Sequence, residues 1–185
     1  MKKSVFILML LLTCYTGEVV MADANTGAPF SAKENGQGHY AHLTTEGSVR
    51  HIVEHPAFKG FSQLILPREN DIHHLDIPLS NVRSLMPYHD HVEPDTVMGA
   101  LNRMIDEIND GKTVFYDFYT EQQKLEDPAK ENTGLFFYRG EKGAPFAIVC
   151  PGGGFSYVGS LHEGFPLALE ISKKKYNAFV IRYLS

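Results

Sequence analysis

The apolar run Phe146-Ala147-Ile148-Val149-Cys150 stops at Pro151-Gly152-Gly153-Gly154-Phe155, and this junction constrains the fold more than any other stretch of the chain. An unbroken apolar run reads as a strand buried on both faces, and a proline followed by glycines cannot prolong it. Leu161 to Lys174 then carries Phe165, Leu167, Leu169 and Ile171 as the apolar positions of a predicted helix, with Lys173 to Lys175 at its close, where cations suit the macrodipole. Ala178-Phe179-Val180-Ile181 is a second buried-strand run. Strand, glycine loop, helix and strand make a βαβ unit, which demands a parallel strand pair and predicts an α/β fold.

Consecutive glycines at the carboxyl end of a strand have a physical use. Without Cβ atoms the backbone adopts positive φ and approaches a ligand closely, and its N–H groups are free to stabilise an anion. That anion is either a phosphate or the oxyanion formed on an ester carbonyl during acyl transfer. Neither G-x-G-x-x-G nor G-x-x-x-x-G-K-[ST] occurs around Gly152 to Gly159, which disfavours the nucleotide-binding loops. A glycine triplet alone is equally compatible with a tight strand-to-helix turn.

Upstream, three regions follow from periodicity and breakers. Residues 25–94 are rich in Gly, Pro and His, which predicts irregular backbone with short elements. Phe58, Phe61, Leu64 and Ile65 in this region either pack over the sheet or form part of a lid. Val97, Leu101, Met104, Ile105 and Ile108 recur at helical spacing, predicting a helix over 95–109 with Asp95 as its N-cap and Asn109-Asp110-Gly111 as its stop. Thr113 to Tyr119 and Leu135 to Tyr138 read as antiparallel strands separated by the polar segment 120–132.

Lys2-Lys3, the apolar run from Val5 to Leu12 and Ala22-Asp23-Ala24 have the form of a secretory signal peptide over 1–24, implying export. The apolar run is too short for a membrane span. Leu11-Leu12-Thr13-Cys14 offers lipoprotein anchoring through Cys14 as the lesser alternative. Cys14 and Cys150 are the only cysteines, too few for a disulfide framework. With 17 basic against 22 acidic residues the formal charge is −5, and no basic patch is interleaved with aromatics, so a nucleic-acid partner is not expected.

The order Phe146 to Cys150, Pro151-Gly152-Gly153-Gly154-Phe155, Tyr157, His162-Glu163-Gly164 and Asn177 to Tyr183 resembles the N-terminal half of α/β-hydrolase fold esterases and lipases. It is most similar to secreted bacterial carbohydrate esterases with a Pro-Gly-Gly-Gly form of the oxyanion loop. The resemblance covers 111–185, preceded by an extension over 25–110, and implies an α/β-hydrolase fold truncated after about the fourth strand. It implies Gly153 and Gly154 as backbone oxyanion donors, Gly152 as the residue shaping the loop, and a small ester substrate, with acylated sugars and short-chain aliphatic esters both allowed. No cofactor or metal is implied. Pro151 replaces the commoner His that helps hold the loop, which leaves open how this loop is held. Lys175 stands where a Gly often ends the helix in a left-handed turn, at an expected cost of about 1 kcal/mol.

The family's nucleophile lies on a G-x-S-x-G elbow after the fifth strand, and none of the ten serines of this chain has that context; Ser156 lies inside the oxyanion loop. The expectation is therefore the front half of a hydrolase, inactive alone, with a complementary C-terminal half as a possible partner. Its fourth strand should lie beside the third, and the third should expose an edge carrying Val and Ile. A non-catalytic exported binding or interaction module is the alternative. His39 with His42, His73-His74 and His89-Asp90-His91 lack any metal-site motif and read as surface or structural residues. At the predicted helix start, Glu163 suits the dipole and His162 is expected to line the site mouth.

Overall fold

The computed structural model describes residues 39–86, 91–154 and 156–184. The signal-peptide and Cys14 expectations, like His89, Asp90 and Phe155, lie outside the described residues. The fold is mixed α/β. Short helical elements come first: α1 (Val49–Val53), a 3-10 turn Pro56–Phe58, α2 (Ser62–Ile65) and 3-10 turns Glu69–His73 and Leu79–Leu85. Helix α3 (Pro94–Asn109) is followed by β1 (Phe115–Tyr116), α4 (Glu121–Glu126), a 3-10 turn Pro128–Asn132, β2 (Gly134–Tyr138) and β3 (Phe146–Val149). A π-helical turn Ser160–Gly164 leads into α5 (Phe165–Lys173), and β4 (Asn177–Arg182) closes the order.

The four strands form one sheet in the order β1-β2-β4-β3. The β1–β2 and β2–β4 pairs are antiparallel, and β3–β4 is parallel, as the βαβ reading requires. Phe136 lies opposite Phe115 and Val180, and Val149 opposite Val180, so Phe115, Phe136, Val180 and Val149 share one face. On that face Phe165 packs against Phe136 at 4.7 Å between ring centroids, which anchors α5 to the sheet.

The extension belongs to the same core. Phe61 stacks on Phe115 at 4.9 Å and meets Phe136 at 5.9 Å, and Phe58, Leu64 and Ile65 are buried in the cluster that includes Phe165 and Val180. Of the two roles open to these residues, core packing is the one observed. Helix α3 is tied to β2 through Glu107, 4% exposed, whose carboxylate lies 2.8 Å from the Arg103 guanidinium and 3.3 Å from that of Arg139. Removing either cation would leave a buried carboxylate less compensated.

Three local expectations are corrected. Glu93, not Asp95, is the N-cap of α3: Pro94 takes the first helical position, where its fixed φ and missing N–H are tolerated, and Asp95 moves into the first turn. Leu167 is 52% exposed, and α5 buries Phe165, Ala168, Leu169 and Ser172 instead, the i, i+3, i+4, i+7 stripe of a regular helix, from which Leu167 at i+2 points away. Strand β3 is not buried on both faces: Phe146 and Ile148 are 65% and 58% exposed, because the described helices pack on the opposite face, where Phe136 and Val180 are buried. On the face of Phe146 and Ile148, Phe137 and Phe179 stack at 4.4 Å, Phe146 meets Phe179 edge-on at 5.9 Å, and the Arg139 guanidinium lies 4.5 Å over Phe137.

Lys175 does have positive φ, 72°, and its N–H donates to the Ser172 carbonyl at 2.8 Å to end the helix. It therefore accepts the left-handed strain expected for a non-glycine residue at this position.

Candidate active site: the glycine loop

The parallel strand β3 runs into Cys150 and the buried Pro151, and the chain then turns through Gly152 to Gly159 before the π-helical turn. Two residues of the turn need glycine. Gly153 has φ 152°, and a Cβ there would lie 1.8 Å from the Tyr157 carbonyl oxygen; Gly154 has φ 58° and open space around it. The first is excluded by contact and by backbone, the second by backbone alone.

The first three peptide planes of the turn are each held by an identifiable partner. The Tyr183 hydroxyl donates to the Pro151 carbonyl, and the Gly152 N–H of the same plane donates to Glu163 Oε2 at 2.9 Å. The Gly152 carbonyl accepts from the Gly159 N–H at 2.8 Å, and the Gly153 carbonyl from the Ser156 N–H at 3.0 Å. A trans peptide directs its N–H opposite to its C=O, so these bonds set the directions of the Gly153 and Gly154 N–H groups. Neither of those amides donates to another described residue. Two oriented backbone donors on adjacent residues, with no acceptor among the described residues, are what an anion, or a developing oxyanion, requires.

Around the loop the structure is largely buried. Arg182, 3% exposed, donates through one guanidinium nitrogen to the carbonyls of Leu66, Pro67 and Val158 at 2.9, 3.2 and 3.3 Å. The Val158 N–H in turn donates to the Pro67 carbonyl at 3.1 Å, so the N-terminal extension supports the outer limb of the loop. Arg68 lies 5.0 Å over the Tyr157 ring. Burial first, then the Glu163 carboxylate, raise the Tyr157 phenol above its ordinary value, against the opposing charge of Arg68.

Among the residues predicted from sequence, Gly152, Gly153 and Gly154 lie in the turn between β3 and the π-helical turn. Ser156 is exposed, its hydroxyl 3.4 Å from the Gly154 carbonyl. The His162 side chain is 1% exposed, with its ring 5.9 Å from that of Tyr157 and Nε2 3.8 Å from Glu163 Oε1, and His162 lines a small cavity of about 160 Å³ with His91, Glu93 and Pro166 in place of a mouth formed by the glycine loop. His39, His42, His73, His74 and His91 are exposed, and among the described residues no three His, Cys, Asp or Glu side chains gather as a metal site would need. Sequence reasoning missed Tyr183, Gly159 and Arg182, and recognised Glu163 only as a helix-start carboxylate. No spacing rule links these positions to the loop.

A cleft of about 560 Å³ lies away from the loop, lined by His42, Arg50, His51, Glu54 and His55 among others. Three of its polar side chains already have partners: His42 with Asp106 at 2.6 Å, Arg50 with Asp76 at 2.9 Å, and His55 with the Ala41 carbonyl at 3.0 Å.

No protein-family model matches the chain, and no curated protein or solved structure matches it. No helix of the described residues is long and apolar enough to cross a membrane.

Proposed function

We propose that this chain carries the oxyanion-binding half of an exported serine ester hydrolase of the α/β-hydrolase class, with Gly153 and Gly154 as the donors and Gly152 shaping their loop. The observation that carries the reading is the pair of oriented amides at Gly153 and Gly154, both without a described acceptor. The sheet supports it as well. An antiparallel β1–β2 pair precedes the parallel β3–β4 pair, and the glycine loop leaves the carboxyl end of β3. In this reading an ester carbonyl docks against the loop and a serine hydroxyl attacks it. The oxygen that gains the electron pair is held by the two N–H groups until the alcohol leaves and the acyl-enzyme forms.

No serine of the chain stands in G-x-S-x-G. The nucleophile, the acid and the base are assigned to a complementary C-terminal half, and the 185-residue chain alone is expected to be inactive. Acylated sugars and short-chain aliphatic esters are the substrates to test first. Labelling a native extract with a serine-directed phosphonate should yield a labelled species or complex containing the peptides of this chain. Appreciable ester turnover by the pure chain that survives Gly153→Ala would overturn the roles of the three glycines.

The exposure of Phe146 and Ile148 beside the Phe137–Phe179 stack favours a second reading, a non-catalytic interaction module. It predicts that the phosphonate leaves every species containing this chain unlabelled.

A further inference from the structure

Three hydrogen bonds close a ring between the two ends of the glycine loop and the turn that follows. The Glu163 N–H donates to the Gly159 carbonyl at 2.9 Å, the Gly159 N–H to the Gly152 carbonyl at 2.8 Å, and the Gly152 N–H to Glu163 Oε2 at 2.9 Å. Glu163 contributes the one side chain in this ring, and its carboxylate makes the charge-assisted bond. Space is tight there: a Cβ on Gly159 would lie 2.9 Å from His162 Cε1 and 3.1 Å from Glu163 Oε2. With Pro151 at the head of the loop, the side chain at that position offers no hydrogen bond of its own.

We propose that Glu163 is the positioning residue of the glycine loop, its carboxylate holding the Gly152 peptide so that the Gly153 and Gly154 N–H groups stay turned toward a bound anion. This rests on the reading of those two amides as oxyanion donors. The carboxylate takes the Gly152 N–H for itself and leaves the next two for the ligand. The Tyr183 hydroxyl, on the carbonyl of the Pro151–Gly152 peptide, holds the opposite side of the plane that Glu163 holds. Glu163 thereby does the work of the side chain that Pro151 lacks.

The test is amide NMR and hydrogen exchange on the full 185-residue chain and on Glu163→Gln, Glu163→Ala and Glu163→Asp. Glu163→Ala should speed exchange at Gly152 by about tenfold or more, the scale of one charge-assisted hydrogen bond. It should also move the Gly153 and Gly154 resonances while the sheet amides of Phe136 and Val180 stay in place. Glu163→Gln keeps an acceptor of the same length and should restore most of the protection, with the Gly152 proton shifted upfield by loss of the charge. Glu163→Asp, one methylene short, should resemble alanine. Should the alanine variant fail to fold, the isosteric Gln variant decides the matter. An unmoved Gly152 proton in Glu163→Gln, or changes in Glu163→Ala as large at Phe136 and Val180 as in the loop, overturns the proposal. Because these readouts need no catalysis, a failed phosphonate labelling beside an intact Glu163 response would count against the hydrolase reading and not against the positioning role.

Discussion

Replacing Gly153 and Gly154 separately by alanine tests the loop geometry, because the two sites differ in a way the sequence Gly-Gly does not reveal. At Gly153 the new methyl would lie 1.8 Å from the Tyr157 carbonyl oxygen and 2.6 Å from its carbon, at φ 152°. Both neighbours are backbone, so no rotamer change relieves the contact and the turn must open. Forced displacement of packed backbone costs about 1–3 kcal/mol, and losing the Gly159–Gly152 or Ser156–Gly153 bond adds roughly 1 kcal/mol. At Gly154 the methyl meets nothing within 4 Å, and the cost is confined to the left-handed φ of 58°. That cost is about 1–2 kcal/mol. At about 3 °C per kcal/mol for a domain of this size, Gly153→Ala should lower Tm by roughly 6–12 °C and Gly154→Ala by roughly 3–6 °C. Circular dichroism melts at one protein concentration measure both. A loss at Gly154 equal to or larger than that at Gly153 would refute the assigned packing of the loop against Tyr157.

Lys175→Gly should stabilise the chain by about 0.5–1 kcal/mol, since relief of the left-handed strain outweighs the exposed Lys175–Glu141 pair; urea unfolding gives the difference, and a loss of stability would contradict it. His55 donates from Nε2 to the Ala41 carbonyl and accepts the Ala57 N–H on Nδ1, and burial lowers its pKa against the pull of the Ala41 bond. The unfolded chain therefore takes up the proton first, so this contribution is complete above about pH 6.5 and is lost as pH falls below it. His55→Asn keeps an acceptor for Ala57, and its Tm should fall less steeply from pH 7 to pH 5 than that of the parent; parallel profiles would count against the assignment. Ile148, 58% exposed on the outer strand, should promote concentration-dependent self-association. Sedimentation velocity should show that association reduced by Ile148→Lys and unchanged by a lysine at the exposed Thr96.

What the sequence by itself determined is local. The run Phe146 to Val149, the glycines after it, and the run Asn177 to Arg182 are readable as strand, turn and strand because apolar continuity and missing Cβ atoms act over neighbouring residues. The same holds for α3, whose apolar residues recur at the helical period, whereas the left-handed turn at Lys175 is an implication of the resemblance and not of the residue itself. Even the parallel pairing of β3 with β4 follows, because a helix between two strands leaves the chain the length to cross over. The tertiary structure decided what depends on distance through space. Arg182 reaches the carbonyl of Leu66 across 116 positions, and Phe61 joins the sheet core, neither with any periodic signal. An apolar run does not say how many faces of its strand are covered, and the helices cover one face of this sheet, so the composition of β3 alone misled. The glycine triplet announced a place where backbone donors gather, but their directions are set by Tyr183, Gly159, Ser156 and Glu163. A peptide plane is oriented by whatever binds its other end, and most of those partners lie on other elements of the fold.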